Sequence, residues 1–161
     1  MKRLVVMRHA KSDWDAGASS DHERPLNERG RREAPSVGRE LAERGYAPDI
    51  VLTSDSKRTT ETLELAQPFW PNAKVVAMRA LYHAGIVEVR DALPSVPTDA
   101  ETLLVLGHNP GWEGMVSQLS GKHVEMKTSY AAVLESDADS FDAALAPGAK
   151  LKLVAMIKPH A

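Results

Sequence analysis

The sequence predicts an α/β fold: a three-layer α/β/α sandwich with a mostly parallel central sheet and an antiparallel edge. Three observations predict it. Apolar runs of strand length alternate with segments of helical periodicity along most of the chain. Two of those runs, Leu4-Val5-Val6-Met7 and Leu103-Leu104-Val105-Leu106, are uninterrupted, as strands buried on both faces are. The last two strand-like segments, 130–134 and 151–157, follow one another with no clear helix between them, which suits a hairpin at an antiparallel edge.

The elements can be justified in order. Residues 4–7 form a buried strand, and the polar stretch 11–25 a long loop. Asn27 caps a helix that runs to about Arg44, with Gly45 as its stop and Ala34, Val37 and Leu41 on its apolar face. Pro35 inside it conflicts with a start at Asn27. Asp49–Leu52 is a short strand. Ser54 or Asp55 caps a second helix that ends before Pro68. Residues 75–77 are a weak strand, and Ile86, Val89 and Leu93 a short helix stopped by Pro94. Asn109 and Pro110 provide a cap and a first-turn proline for a helix with Trp112, Met115, Val116 and Leu119 on one face and Gly121 at its end. Leu151, Leu153, Ala155 and Ile157 alternate as a half-buried strand should.

A chain of 161 residues, 43% hydrophobic and 26% charged, is expected to form one domain over 1–161. Its net charge of −2 gives no footprint for nucleic acid or a membrane surface. With no cysteine, disulfides, thiolate metal sites and cysteine nucleophiles are excluded. Four strongly apolar residues before Arg8 are too few for a secretory signal. No stretch approaches the roughly 18 apolar residues of a membrane helix. A cytoplasmic location is the expectation.

Four segments carry chemistry: Arg8-His9-Ala10, Arg24-Pro25-Leu26, Thr53-Ser54-Asp55-Ser56-Lys57-Arg58-Thr59 and Gly107-His108-Asn109-Pro110-Gly111. Taken singly each is commonplace: a surface Arg-His pair, a leucine-anchored loop, a solvated helix arginine, a turn before a helix. Together they matter, because open α/β sheets bind ligands beyond the C-terminal ends of their strands. Two histidines and an arginine reach that edge from two strand tips. Arg58 joins them from the first turn of a helix, whose N-terminus itself favours anions. Its planar fork suits two phosphate oxygens at once. The ligand implied is anionic, foremost a phosphate.

These segments, in this order, resemble the histidine phosphatase superfamily, and within it the small SixA-type phosphohistidine phosphatases. The likeness covers residues 2 to about 121; residues 122–161 match only in length and strand character. It implies a phosphoglycerate mutase-like fold. It also implies that His9 is a nucleophile passing through a phosphohistidine intermediate, with Arg8, Arg58 and His108 in the phosphate pocket. Arg24 and Asn109 would orient that pocket, and Ser12 would contact substrate. No metal or cofactor is implied, since two arginines supply the positive charge. Lys11 and Lys57 flank the site and would attract acidic substrates, whereas His22, His83, His123 and His160 read as ordinary surface positions.

One departure bears on substrate. Relatives that cleave sugar or glycerate phosphates protonate the leaving alkoxide with a carboxylic acid placed before the second histidine motif. Here that stretch reads Arg79-Ala80-Leu81-Tyr82-His83-Ala84-Gly85, with no carboxylate until Glu88. An alkoxide needs such an acid; a phosphorylated imidazole leaves as neutral imidazole once its other nitrogen is protonated. The sequence thus favours phosphohistidine in a protein. The alternatives are a small phosphate ester with Glu88, Tyr82 or Asp21 as acid, a non-catalytic phosphoprotein-binding module, and a metal hydrolase using His9 and His108. The last lacks a spaced ligand pair.

Overall fold

β1 (Lys2–Arg8) lies inside a six-stranded sheet of a computed structural model that describes residues 1–15 and 17–160. The other strands are β2 (Ile50–Ser54), β3 (Lys74–Met78), β4 (Thr102–Gly107), β5 (Ala131–Ser136) and β6 (Lys152–Ile157). Their order across the sheet is β3-β2-β4-β1-β5-β6. The first four run parallel. β5 is antiparallel to both its neighbours, so β6 runs with β1 again. One sheet edge therefore collects the C-terminal tips of β1, β2, β4 and β6 together with the entry to β5.

The helices are α1 (Glu28–Glu43), α2 (Lys57–Ala66), α3 (Ile86–Ala92), α4 (Gly111–Ser120) and the four-residue α5 (Phe141–Ala144). Alternation in β1 divides the core between the two sheet faces. Leu4 and Val6 pack with Leu81, Val89, Trp112 and Met115. Val5 and Met7 pack with Val37, Leu41, Leu63 and Trp70. Two apolar layers around one sheet give the expected three-layer sandwich.

Several boundaries differ from the sequence reading. β1 extends to the half-buried Arg8, which stays in register with Gly107 of β4, and β2 extends to Ser54, where burial continues through the polar tip. The last two strands are antiparallel neighbours, but α5 lies between them, so they are not a tight hairpin. The cap of α2 is Ser56, whose side chain accepts from the Thr59 amide; Ser54 is still in the strand. α4 begins at Gly111, with Pro110 at its N-cap, and Asn109 reaches forward to accept from the Glu113 amide at 3.2 Å. Pro35 sits within α1, which nonetheless starts at Glu28 with Asn27 as its cap. The amide that Pro35 lacks is outweighed by burial of Ala34, Val37 and Leu41 on the same helix.

The long loop after β1 is pinned at both ends. Ser12 and Leu26 form an isolated antiparallel bridge. The Lys11 carbonyl accepts from the Asn27 amide at 2.9 Å and lies against Gly30. A Cβ at Gly30 would drive into that carbonyl oxygen. Gly→Ala inside a helix normally stabilises by about 1 kcal/mol. Here Gly30→Ala should reverse sign and destabilise by about 1–3 kcal/mol through overpacking, read as a lowered urea midpoint at constant slope. An unchanged or raised midpoint would show that the loop yields freely.

Candidate active site

The tip of β1 is fixed by backbone bonds to three directions. The Arg8 amide donates to the Tyr130 carbonyl, the His9 amide to the Gly107 carbonyl, and the Ser129 amide to the His9 carbonyl, each at 3.0 Å. The Ala10 amide donates to Thr62 Oγ1 at 3.0 Å, and Thr62 Oγ1 donates to the Arg58 carbonyl at 2.7 Å. β1 is thereby tied to β4, to the approach to β5 and to α2. Ser129 holds a positive φ of 69°, a conformation that non-glycine residues adopt rarely.

His9 is 5% exposed. Its Nδ1 lies 2.7 Å from the Ala10 carbonyl oxygen, which can only accept, so Nδ1 carries the proton and Nε2 keeps its lone pair. His108 lies beside it, with ring centroids 5.2 Å apart. Nε2 of His108 lies 2.9 Å from Ser54 Oγ and 3.3 Å from Ser56 Oγ. Ser54 Oγ already accepts from the Ser56 amide at 3.2 Å. Its hydroxyl proton can be given to His108 Nε2, and in that arrangement the ring proton sits on Nδ1.

Arg8 and Arg58 complete the group. Arg8 donates through Nη1 to the Met126 carbonyl at 3.1 Å. Arg58 donates through Nη1 to the Asp21 carbonyl at 2.8 Å and through Nη2 to Asp21 Oδ2 at 3.1 Å. Both arginines keep a buried Nε without a partner, as does Nδ1 of His108. Three unpaired buried polar atoms are expensive in a protein interior unless an acceptor meets them. All three residues, with His9, line one cleft of about 280 Å³.

The electrostatics follow from burial. His9 is pushed down to about 3, chiefly because burial penalises the imidazolium. The Ala10 carbonyl opposes that shift, and Arg58, Arg8 and Arg24 add to it. His108 also falls to about 3, again mainly by burial, with His9 and Arg58 contributing. Both rings are neutral at neutral pH. Asp21 is held well below the usual carboxylate range, first by the hydrogen bond from the Tyr82 hydroxyl and then by Arg24 and Arg58. Burial and Asp21 raise Tyr82.

The structure brings every phosphate-pocket residue expected from the sequence to this cleft: Arg8, His9, Ser12, Arg24, Arg58, His108 and Asn109 all line it. Arg24 donates to Ser12 Oγ at 2.8 Å and to Asp21 Oδ1 at 2.9 Å, and its guanidinium lies 3.5 Å from the centre of the Trp14 ring. Asn109 Nδ2 donates to the Met126 carbonyl at 2.8 Å, the same oxygen that takes Arg8. Asp21 takes one N–H from each Nη of Arg58, which leaves the second N–H of each and the whole of Nε without a protein acceptor among the described residues. Glu88 does not line the cleft; its carboxylate accepts from the Gly85 amide at 2.7 Å and caps α3. His22 is less ordinary than its sequence suggests, with Nε2 2.8 Å from Asp55 Oδ1 and its ring edge-on to Tyr82.

Sequence reasoning missed the hydroxyls of Ser54, Ser56 and Thr62, the Met126 carbonyl and the Trp14 ring. Ser54 and Ser56 both carried a helix-start signal, which the sequence reading placed on Ser54 or Asp55 and the structure places on Ser56.

An anion cleft of neutral histidines and buried arginines, at the C-terminal edge of a doubly covered sheet, defines a phosphatase. The comparisons specify which class. The model of the histidine phosphatase superfamily (branch 1) matches residues 4–86, and the chain belongs to that superfamily. Two solved structures assigned as phosphohistidine phosphatase SixA are similar over almost their whole length. That from Nakamurella multipartitia has a TM-score of 0.84 and 30% identity, covering 99% of this chain and 97% of its own. That from Agrobacterium tumefaciens has a TM-score of 0.80 and 26% identity, covering 99% of both. An uncharacterized chloroplastic protein of Arabidopsis thaliana is 33% identical over 171 aligned residues, 98% of this chain and 78% of that protein. The fold is thus the phosphoglycerate mutase-like sandwich.

The imidazoles give a direct test. An ordinary histidine titrates near pH 6.5. The ¹⁵N resonances of His9 and His108 should stay those of neutral rings from pH 8 down to 5. The unfolded chain binds two protons there that the folded chain refuses, so stability should decline as pH falls from about 6.5 toward 3 and be complete above 6.5. A midpoint near 6.5 for either ring would show that burial does not control it.

Proposed function

We propose that the protein is a metal-independent phosphatase that removes the phosphoryl group from phosphohistidine in a protein, with His9 as the nucleophile. The observation that carries this reading is the pairing of a neutral His9, its tautomer fixed by Ala10, with three unpartnered buried donor candidates on Arg8, Arg58 and His108. In this reading Nε2 of His9 forms a bond to phosphorus as the substrate's N–P bond breaks. The substrate imidazole, protonated on its other nitrogen, leaves neutral. Water then attacks phospho-His9, releasing phosphate and restoring the ring. Arg8 and Arg58 balance charge on the equatorial oxygens, and neutral His108 donates a hydrogen bond to them. Ser12, Arg24 and Asn109 hold the cleft in shape.

The proton inventory supports a P–N substrate. Asp21 is ionised, the Tyr82 proton is directed to Asp21, and Glu88 is occupied at α3. None is poised to protonate an alkoxide. Among the described residues no trio of His, Cys, Asp or Glu is grouped as a metal site, and the arginines take the charge-neutralising role. Residues 1–161 act as one catalytic domain in this reading, with the cytoplasm as its place of action. No helix among the described residues is long and apolar enough to cross a membrane.

His9→Ala should abolish turnover and the acid-labile ³²P label that the parent enzyme acquires. Arg8→Ala, Arg58→Ala and His108→Ala should each slow phosphoryl transfer on the order of 10²–10³-fold. Arg58→Lys should not restore the rate, because an ammonium lacks the guanidinium's fixed set of donors. Substantial turnover by His9→Ala would remove the covalent route.

Rates in EDTA on a phosphohistidine protein and a panel of phosphomonoesters test the substrate. Phosphohistidine should be cleaved readily, nitrophenyl phosphate far faster than alkyl phosphates, and Glu88→Gln should change phosphohistidine turnover less than twofold, about the noise of such a comparison. A flat dependence on leaving-group pKa would move the substrate to small esters, and activity lost on chelation and restored by Mg²⁺ or Zn²⁺ would favour a metal hydrolase.

A further inference from the structure

Beside the phosphoryl cleft lies a second, larger groove of about 530 Å³, which shares Arg8, Lys11 and Thr128 with it. The groove is built where four segments meet: the exit from β1, the first turns of α1, the approach to β5 and the exit from β6. Each delivers a cation: Arg8 and Lys11, Arg29, Lys127, and Lys158. The carboxylate lining it is Glu33, buried and paired with Arg29 at 3.2 Å. Lys127 has one exposed partner, Glu125 at 3.6 Å. Among the described residues Lys11 and Lys158 meet no carboxylate within ion-pair distance, and Nζ of Lys158 lies 5.7 Å from the centre of the Tyr130 ring. The chain as a whole carries a net charge of −2, so this concentration of positive charge is local.

We infer that this groove is the docking surface for an acidic segment of the phosphoprotein substrate, aligned beside the phosphorylated histidine. The inference rests on the phosphohistidine reading and adds the character of the protein that carries it. The type of cation selects the occupant. The cleft grips with buried guanidinium nitrogens and an imidazole, donors converging on one small anion. The groove presents exposed lysines spread over separate segments, point charges on flexible stems that suit carboxylates strung along a chain. Exposed pairs of this kind govern encounter and apparent affinity, and they are sensitive to salt. The groove should therefore act on KM and leave the chemical step alone.

The test uses the double variant Lys127→Glu/Lys158→Glu, whose sites are exposed and outside the phosphoryl cleft. Binding of a dye-labelled, unphosphorylated peptide with consecutive glutamates is followed by fluorescence anisotropy at low salt, about 50 mM. The double variant should weaken that binding about tenfold or more, while turnover of nitrophenyl phosphate stays within about twofold. On phosphohistidine peptides KM should rise with acidic flanking residues and not with neutral ones. No peptide binding by the parent protein, or binding unchanged in the double variant, overturns the docking surface. So does displacement by pyrophosphate with no effect of the glutamate peptide, which would make the groove a second phosphate site. Peptide binding needs no phosphohistidine chemistry. A bound acidic peptide whose phosphohistidine form is not hydrolysed would therefore count against the substrate reading alone.

Discussion

Burial and three surrounding arginines keep His9 uncharged, and the rest of the structure is arranged around that condition. Burial disfavours the imidazolium, and Arg8, Arg24 and Arg58 disfavour it further. The Ala10 carbonyl pulls the other way but fixes which nitrogen keeps its lone pair. The same arginines that keep the ring neutral are cations that attract an anion, so a neutral imidazole and an anion-attracting cleft share one cause. Asp21 is the counterweight: it is bonded to Arg24, Arg58 and Tyr82 and remains ionised.

Topology makes this arrangement possible. A strictly parallel sheet would bring only strand exits to the active edge. Reversal of β5 brings its entry there as well, so that Met126, Thr128 and Ser129 reach the tip of β1. The Met126 carbonyl binds Arg8 and Asn109 together, and the Met126 amide donates to Glu113 at 2.8 Å, joining two parts of the cleft through one residue.

The legible part of the site was the part whose position follows from local rules. Arg8, His9 and His108 end uninterrupted apolar runs, and Arg58 falls in a helix's first turn, so period and cap place all four. Ser54 reads from the sequence as a helix cap, and its place at the buried end of β2 comes from pairing with Met78 of β3, which no local pattern announces. The Asp21–Arg58 pairing joins a loop to a helix 37 residues on, and no pattern in either segment announces it. Residues 122–161 carry no motif, and their contribution comes from strand order, which pairwise registry decides. Pro35 shows the converse: a strong local signal was overridden by burial of the helix's apolar face.

The central place of β1 also governs when the cleft can exist. Leu4 pairs with Leu103 on one side and Leu134 on the other, so both neighbours of β1 lie far along the chain from it. Closing such long loops precedes any reward from the contacts they bring, which makes this pairing slow and non-local. The backbone of His9 is held from both sides, its amide by Gly107 at the end of β4 and its carbonyl by the Ser129 amide just before β5. Until both of those long loops have closed, the bonds that set the position of His9 do not exist.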